Sequence, residues 1–250
     1  MKKVVVIGGG IAGLAAAREL ARNEFAVTVL EAKNRFGGRI HTVHDGPIPV
    51  ELGAEFLHGE NPAVRRLLEE ANLSTETVPD RNRIFTDGKF KETKIWDIVG
   101  EVFNRVDPRR PDCSFADFLA MQPVEPEIKR LTQNFVQGFD AADPKRISAH
   151  ALRRSEYAAE HMAGSTQLRV TAGYSALVEF LLRDLRARGG SAVTGAGVRK
   201  VTWRPRRVEV LFEQDGKAET IEADAAVIAL PLGVLKTNQV VFEPSLPQKV

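Results

Sequence analysis

The spacing of apolar and polar positions changes from one stretch of this chain to the next, and each spacing marks a different kind of element. The chain opens on Val4-Val5-Val6-Ile7, then a glycine cluster at Gly8, Gly9 and Gly10, then an Ala/Leu-rich run from Ile11 to Leu20. An unbroken β-branched run predicts a strand buried on both faces, and the run after it predicts a helix. Phe25-Ala26-Val27-Thr28-Val29-Leu30 predicts a second strand, and Ala226-Val227-Ile228-Ala229-Leu230 a further one of the same fully apolar kind. A helical period returns over residues 175–188, where Leu177, Phe180, Leu181 and Leu185 share a face and Gly189-Gly190 ends the helix. Residues 193–203 and 207–214 read as strands, with Asp215-Gly216 turning the chain into another around Thr220-Ile221.

Residues 61–165 carry a different pattern. Asn61 and Pro62 supply the N-cap and first position of a helix reaching Glu70. Residues 83–90 predict a hairpin turning at Asp87-Gly88. Residues 114–121 and 125–139 predict helices, with Ser114 and Pro126 as start signals and Phe115, Phe118 and Leu119 as an apolar stripe. The coarse expectation is a mostly helical insertion with a hairpin, spanning 61–165. Residues 1–60 and 166–250 then form one discontinuous domain with a β-hairpin extension near 193–222.

Composition excludes several classes. A formal net charge of +2 gives no strong electrostatic bias toward nucleic acid, and no nucleic-acid partner is expected. The basic groups Arg204-Pro205-Arg206-Arg207, Arg109-Arg110 and Arg153-Arg154 read as solvated faces. The single cysteine, Cys113, excludes an internal disulfide and suits a reducing compartment. No run of about 18 apolar residues occurs, so no membrane-spanning helix is expected. The first strand begins too soon after Met1 for a signal peptide, which makes the cytoplasm the expected location. His41-x-x-His44 has a metal-like spacing but no third ligand nearby, so no metal site is expected.

The candidate chemistry lies at the first turn. Gly8-x-Gly10-x-x-Gly13 between a strand and a helix fits the dinucleotide fingerprint: Gly8 permits the turn, Gly10 lets main chain approach a diphosphate, and Gly13 lets helix and strand pack closely. The helix N-terminus faces the phosphates with free N–H groups. Glu31 ends the second strand at about the 20-residue offset where an acid accepts from a ribose 2′-OH. The competing reading of Glu31 is a solvated strand-end charge. Past it, Gly37-Gly38-Arg39 offers bare backbone and a guanidinium fork, and Glu51-Leu52-Gly53-Ala54-Glu55 is a second strand-to-glycine junction.

Residues 8–17, 31–39 and 51–59, together with Thr171-Ala172-Gly173-Tyr174-Ser175-Ala176-Leu177 and residues 223–236, resemble the flavin-containing amine oxidases. The resemblance spans essentially the whole chain. It implies an α/β fold: a Rossmann-like FAD-binding domain with an inserted α+β substrate domain, the 61–165 insertion lining the substrate cavity. It implies FAD as cofactor, contacted by Gly8, Gly10, Ala12, Gly13, Glu31, Ala32, Gly38, Arg39, Gly53 and Ala54, with the main chain at Val198 beside the adenine. It also implies a small-molecule amine as substrate and an oxidoreductase reaction: the carbon next to nitrogen gives up hydride, the imine is hydrolysed, and oxygen returns the flavin to its oxidised state with release of hydrogen peroxide. His58 occupies a position where some polyamine oxidases place Glu or His beside the substrate nitrogen, and its imidazole, with an ordinary pKa of about 6.5, suits orienting or deprotonating an amine. A surface or hydrogen-bonded loop histidine is the alternative. Glu55 either faces the same cavity or caps a turn.

Members of the family continue past the position of Val250, and the further part carries a lysine beside the flavin, an aromatic pair and a late glycine-rich motif. Neither Lys236 nor Lys249 occupies that lysine's position. Three readings therefore stand: an amine oxidase completed by a further segment or a partner chain, a non-catalytic flavin-binding or interaction module, and a related flavoprotein desaturase. The stretches Gly53-Ala54-Glu55 and Leu230–Lys236 favour the first over the third.

Overall fold

The computed structural model of the protein describes residues 1–246 other than 80, 87, 163 and 165. From the amino terminus come β1 (Lys3–Ile7), α1 (Ile11–Arg22), β2 (Ala26–Leu30), β3 (Thr42–Val43), β4 (Val50–Glu51), β5 (Phe56–His58), α2 (Pro62–Glu70), β6 (Thr75–Val78), β7 (Arg83–Thr86) and β8 (Lys89–Glu92). Helices α3 (Ile95–Asn104), α4 (Phe115–Met121), α5 (Pro126–Gly138) and α6 (Ala149–His161) follow, then β9 (Gln167–Val170) and α7 (Ser175–Ala187). The chain finishes with β10 (Ser191–Val193), β11 (Gly197–Arg204), β12 (Arg207–Gln214), β13 (Lys217–Ala223), β14 (Ala225–Ile228), α8 (Leu232–Lys236) and β15 (Val241–Glu243). Two compact units result: one holds Met1–Glu55, Arg66–Ser74 and the chain from Val170 onward, the other Phe56–Arg65 and Thr75–Arg169.

The first unit explains why β1 is apolar without interruption. Its parallel sheet has the order β10-β2-β1-β14, with Val5 opposite Thr28 on one side and Ala226 on the other. Alternate residues point to opposite faces. Val5, Ile7 and Leu30 pack with Val198, Val201, Val210 and Phe212 of a second sheet, ordered β13-β12-β11-β15. Val6, Val27 and Val29 pack with Leu14, Ala17 and Ala21 of α1 and with Leu181 and Leu185 of α7. With both faces covered, Val4 to Ile7 of β1 are all buried and apolar, and each such burial contributes about 1.5–3 kcal/mol.

One expected strand is two. The stretch 193–203 breaks at residues 194–196: β10 ends in the parallel sheet and β11 begins the other. Gly195 supplies the left-handed turn, at φ 68°, and the N–H groups of Gly195 and Ala196 donate to the carbonyls of Lys33 and Glu31. The hairpin after it follows expectation, Asp215 and Gly216 both having positive φ between β12 and β13.

In the second unit, helices α3 to α6 surround Val99, Phe103, Phe115, Val136 and Leu152. Ser114 caps α4, its Oγ accepting from the Asp117 N–H at 3.1 Å, and Asn61 caps α2, its Oδ1 accepting from the Ala63 N–H at 3.0 Å. Helix α3 lacks such a signal: its N-cap is Lys94, which makes no side-chain cap, and the sequence gives its start away only through the apolar run itself. Strands β5, β9 and β6 form a small sheet, and β7 and β8 pair with Phe85 opposite Phe90. Asp87, the expected turn residue between them, lies outside the described residues.

Candidate functional site

The glycines of the first turn divide into two kinds. A Cβ on Gly8 would stand 2.6 Å from the Ala229 carbonyl oxygen, and one on Gly13 only 2.0 Å from the Gly8 carbonyl oxygen. Those two are bare because the chain packs on itself. Gly10 has ordinary extended angles, and a Cβ there would meet no atom closer than the Gly38 Cα at 3.9 Å. Its bareness therefore meets no need of internal packing, and it leaves main chain open to a ligand. Helix α1 starts at this point with no side-chain cap and no acid in its first turn, and Ala12 is exposed there. Unpaired N–H groups and the positive end of the helix dipole make this a place for an anion.

Glu31 is 9% exposed and is not the solvated charge of the alternative reading. Its Oε2 accepts from the Gly9 N–H at 2.7 Å and its Oε1 from the Lys33 N–H at 2.9 Å. A carboxylate has about four acceptor positions, so two remain for hydroxyl donors. The loop after it closes over the turn: Gly37 N–H donates to the Gly9 carbonyl at 2.8 Å, and Gly38 lies against Gly10. Ala32 is exposed on the same loop.

Arg35 braces that loop, donating to the carbonyls of Ile40 at 2.9 Å and Gly38 at 3.0 Å. Sequence reasoning passed over Arg35 for Arg39, since nothing local separates a guanidinium that holds its own loop from one that faces outward. Arg39 is exposed, and its carbonyl takes the Ala54 N–H at 2.9 Å. A Cβ on Gly53 would sit 2.0 Å from that same carbonyl oxygen, so Gly53 is glycine in order that the two segments pair. Val198 buries its side chain in the core opposite Phe212, and the β11–β12 register shifts just after it, which leaves main chain there out of regular pairing. Gly8, Gly10, Ala12, Gly13, Glu31, Ala32, Gly38, Arg39, Gly53, Ala54 and Val198 all belong to the first unit.

His58 belongs to the second unit, on β5. Its side chain is half-buried: the ring sits 5.2 Å from Phe139 and 5.7 Å from Trp96, and its buried Nδ1 has no hydrogen-bond partner among the described residues. Burial holds its pKa below the ordinary histidine value. The ring lines a cavity of about 260 Å³ with Trp96, Phe135, Phe139, Asp140 and Glu156. Burial raises the carboxyls of both Asp140 and Glu156, with Glu160 adding to the effect at Glu156. Aromatic walls, a neutral imidazole and two carboxyls suit an organic cation with an apolar stem. Glu55, half-buried and not without partners, ends the first segment of the first unit. Sequence reasoning missed Trp96, Phe139, Asp140 and Glu156, which come from three different segments with no shared motif.

Residues 11–250 match the family model described as flavin containing amine oxidoreductase. Polyamine oxidase 2 of Arabidopsis thaliana is 33% identical over 98% of this chain and 54% of its own length. Probable polyamine oxidase 4 of the same plant is 31% identical over 98% of this chain and 53% of its own. The chain thus spans about half the length of the curated relatives it matches. Among solved structures, cyclohexylamine oxidase from Brevibacterium oxydans superposes with a TM-score of 0.78 at 22% identity, covering 98% of this chain and 61% of that one. Putrescine oxidase bound to putrescine gives 0.78 at 22% identity, covering 99% and 61%. At that identity the likeness establishes the fold.

Proposed function

Because this chain belongs to the flavin-containing amine oxidoreductase family, we propose that it holds FAD on the β1-α1-β2 crossover and forms part of an FAD-dependent amine oxidase. The open main chain of Gly10, beside an uncapped helix N-terminus and the buried Glu31, is the observation that carries this reading. Gly10 and Ala12 receive the diphosphate, whose charge the free N–H groups of the helix start offset, while Gly8 and Gly13 shape the turn that presents them. Glu31 keeps two acceptor positions for ribose hydroxyls and would repel a 2′-phosphate. Ala32, Gly38, Arg39, Gly53 and Ala54 provide bare or small surfaces along the cofactor, and the irregular main chain at Val198 takes the adenine edge.

Bound FAD supplies the hydride acceptor for oxidation of a C–H bond next to nitrogen. The chain's own residues prepare the amine. Only the unprotonated amine can give up hydride, and His58, whose charged form burial disfavours, offers that amine a neutral imidazole to orient it. Trp96, Phe135 and Phe139 keep water from the stem of the amine. Glu55, in the first unit, is proposed as a further polar residue for the amine. Polyamine oxidases among the relatives support a small amine as the substrate class. No helix among the described residues is long and apolar enough to cross a membrane, and one cysteine suits the reducing cytoplasm.

Purified protein tests both halves of the proposal. Absorption in the near ultraviolet and blue, bleached by an added amine without oxygen, is the expected result. Colourless protein that takes up no added FAD overturns the cofactor assignment. Yellow protein that amines leave unchanged overturns a competent oxidase within this chain alone and favours a flavin-binding module.

A further inference from the structure

Beyond the residues that can touch a cofactor, the structure contains a clamp on the segments that carry them. Strands β3 and β4 pair with Thr42 opposite Glu51, and the pairing continues outward through Leu52 N–H to the His41 carbonyl and Ala54 N–H to the Arg39 carbonyl. Arg39, Gly53 and Ala54, assigned above to the flavin surface, are therefore the far end of a short ladder. Two strands of two residues each are too short to hold a fixed position alone.

Glu51 supplies what the ladder lacks. Its Oε2 accepts from the Thr42 hydroxyl at 2.7 Å and its Oε1 from the Tyr174 N–H at 2.7 Å. The Thr42 hydroxyl in turn accepts from the Ser175 N–H at 2.9 Å. Tyr174 is the N-cap of α7 and Ser175 its first residue, so one carboxylate and its relay hydroxyl satisfy two main-chain donors at the start of that helix. Tyr174 has no side-chain cap of its own to offer. The chain also comes close here: a Cβ on Gly173 would stand 2.6 Å from Thr42 Cγ2 and 3.0 Å from Pro49 Cβ. Glu51 and Tyr174 are 123 positions apart in sequence, and α7 is fixed in the core by Leu177, Leu181 and Leu185.

We propose that Glu51 is a positioning residue for the flavin surface: it ties the 39–42 and 51–54 ladder to the N-terminus of α7, so that Arg39, Gly53 and Ala54 meet the cofactor already in place. The proposal rests on the FAD assignment above. Preorganisation of this kind acts on affinity, because an unclamped ladder has to be ordered by the ligand itself. Loss of two hydrogen bonds to a carboxylate is enough for about a tenfold change in affinity.

The test is FAD titration of apoprotein, read by quenching of flavin fluorescence, with thermal unfolding measured alongside on the same preparations. Glu51→Ala is expected to raise the Kd for FAD about tenfold or more. Glu51→Gln keeps a carbonyl for the Tyr174 N–H and an amide for Thr42, and is expected to recover affinity to within about threefold. Thr42→Val removes only the relay hydroxyl and is expected to raise Kd by about three- to tenfold. It serves in place of Glu51→Ala should that variant not fold. Variants that lose melting temperature while binding FAD as the parent does, or a Gln variant no better than Ala, overturn the positioning role. A parent protein that binds no FAD overturns the cofactor assignment itself, a result the parent titration shows before any variant is made.

Discussion

Glu31 reaches back across 22 positions to accept the Gly9 N–H at 2.7 Å in a buried setting. Removing that carboxylate leaves a main-chain donor without an acceptor, which costs about 1–3 kcal/mol. Glu31→Ala is thus expected to lose both stability, by about that amount, and FAD retention. Glu31→Gln keeps an acceptor for Gly9 and is expected to lose mainly the cofactor. Denaturant midpoints paired with flavin titration distinguish the two variants, and an Ala variant as stable as its parent would contradict the buried bond.

The glycines of the turn should part company when each gains a methyl group. Gly13→Ala forces a Cβ to within 2.0 Å of main chain and is expected to destabilise the fold by several kcal/mol or to prevent folding. Gly10→Ala has room, and its melting temperature should stay close to the parent's. Its FAD content should nevertheless fall sharply, because the added carbon occupies the surface offered to the diphosphate. Circular-dichroism melts and cofactor release on denaturation measure the two effects, and full FAD content in Gly10→Val would remove the turn from the cofactor site.

Arg18 is only 6% exposed, clasped by Glu70 at the end of α2 and Asp184 on α7, with its guanidinium 4.9 Å from the Phe180 ring centre. The hydrogen bonds from Arg18 and Arg66 hold the Glu70 carboxyl down at about 2. Its folded pKa is below the ordinary 4.5, so this contribution is complete above that value and is lost as pH falls toward 2. Stability measured against pH should show the loss in the parent and a shallower fall in Glu70→Gln. Arg18→Met is expected to cost about 2 kcal/mol near neutral pH, and an unchanged denaturant midpoint would discount the clasp.

The cavity beside His58 predicts opposite signs for its base and its acids. Burial lowers the His58 pKa from 6.5, so the unfolded chain binds the proton more readily and stability falls as pH drops below about 6.5. His58→Leu should flatten that part of the stability profile. Burial raises Asp140 and Glu156, so their ionisation costs stability as pH rises through the raised values. Asp140→Asn should therefore melt higher than the parent at neutral pH, and a lower melting temperature would mean that the carboxylate has a partner it needs.

What local pattern and glycine chemistry can encode was legible in the chain itself. The β1-α1-β2 crossover, the capped helices α2 and α4, the Asp215-Gly216 hairpin and Glu31 as the acid ending β2 all follow from neighbours a few positions apart, because strand alternation, turn angles and caps are short-range constraints. Tertiary contacts decided the rest. Residues 193–203 read as one strand, yet they serve two sheets: Gly195 turns the chain, and the N–H groups of Gly195 and Ala196 donate to the carbonyls of Lys33 and Glu31 at the break. No local spacing foretells that Glu51 will cap a helix 123 positions away, or that Trp96, Phe139 and Asp140 will gather around His58. Such contacts exist only once distant segments have been brought together by burial of their apolar faces, and a polar residue shows in its own sequence neighbourhood nothing of the partner it will meet there.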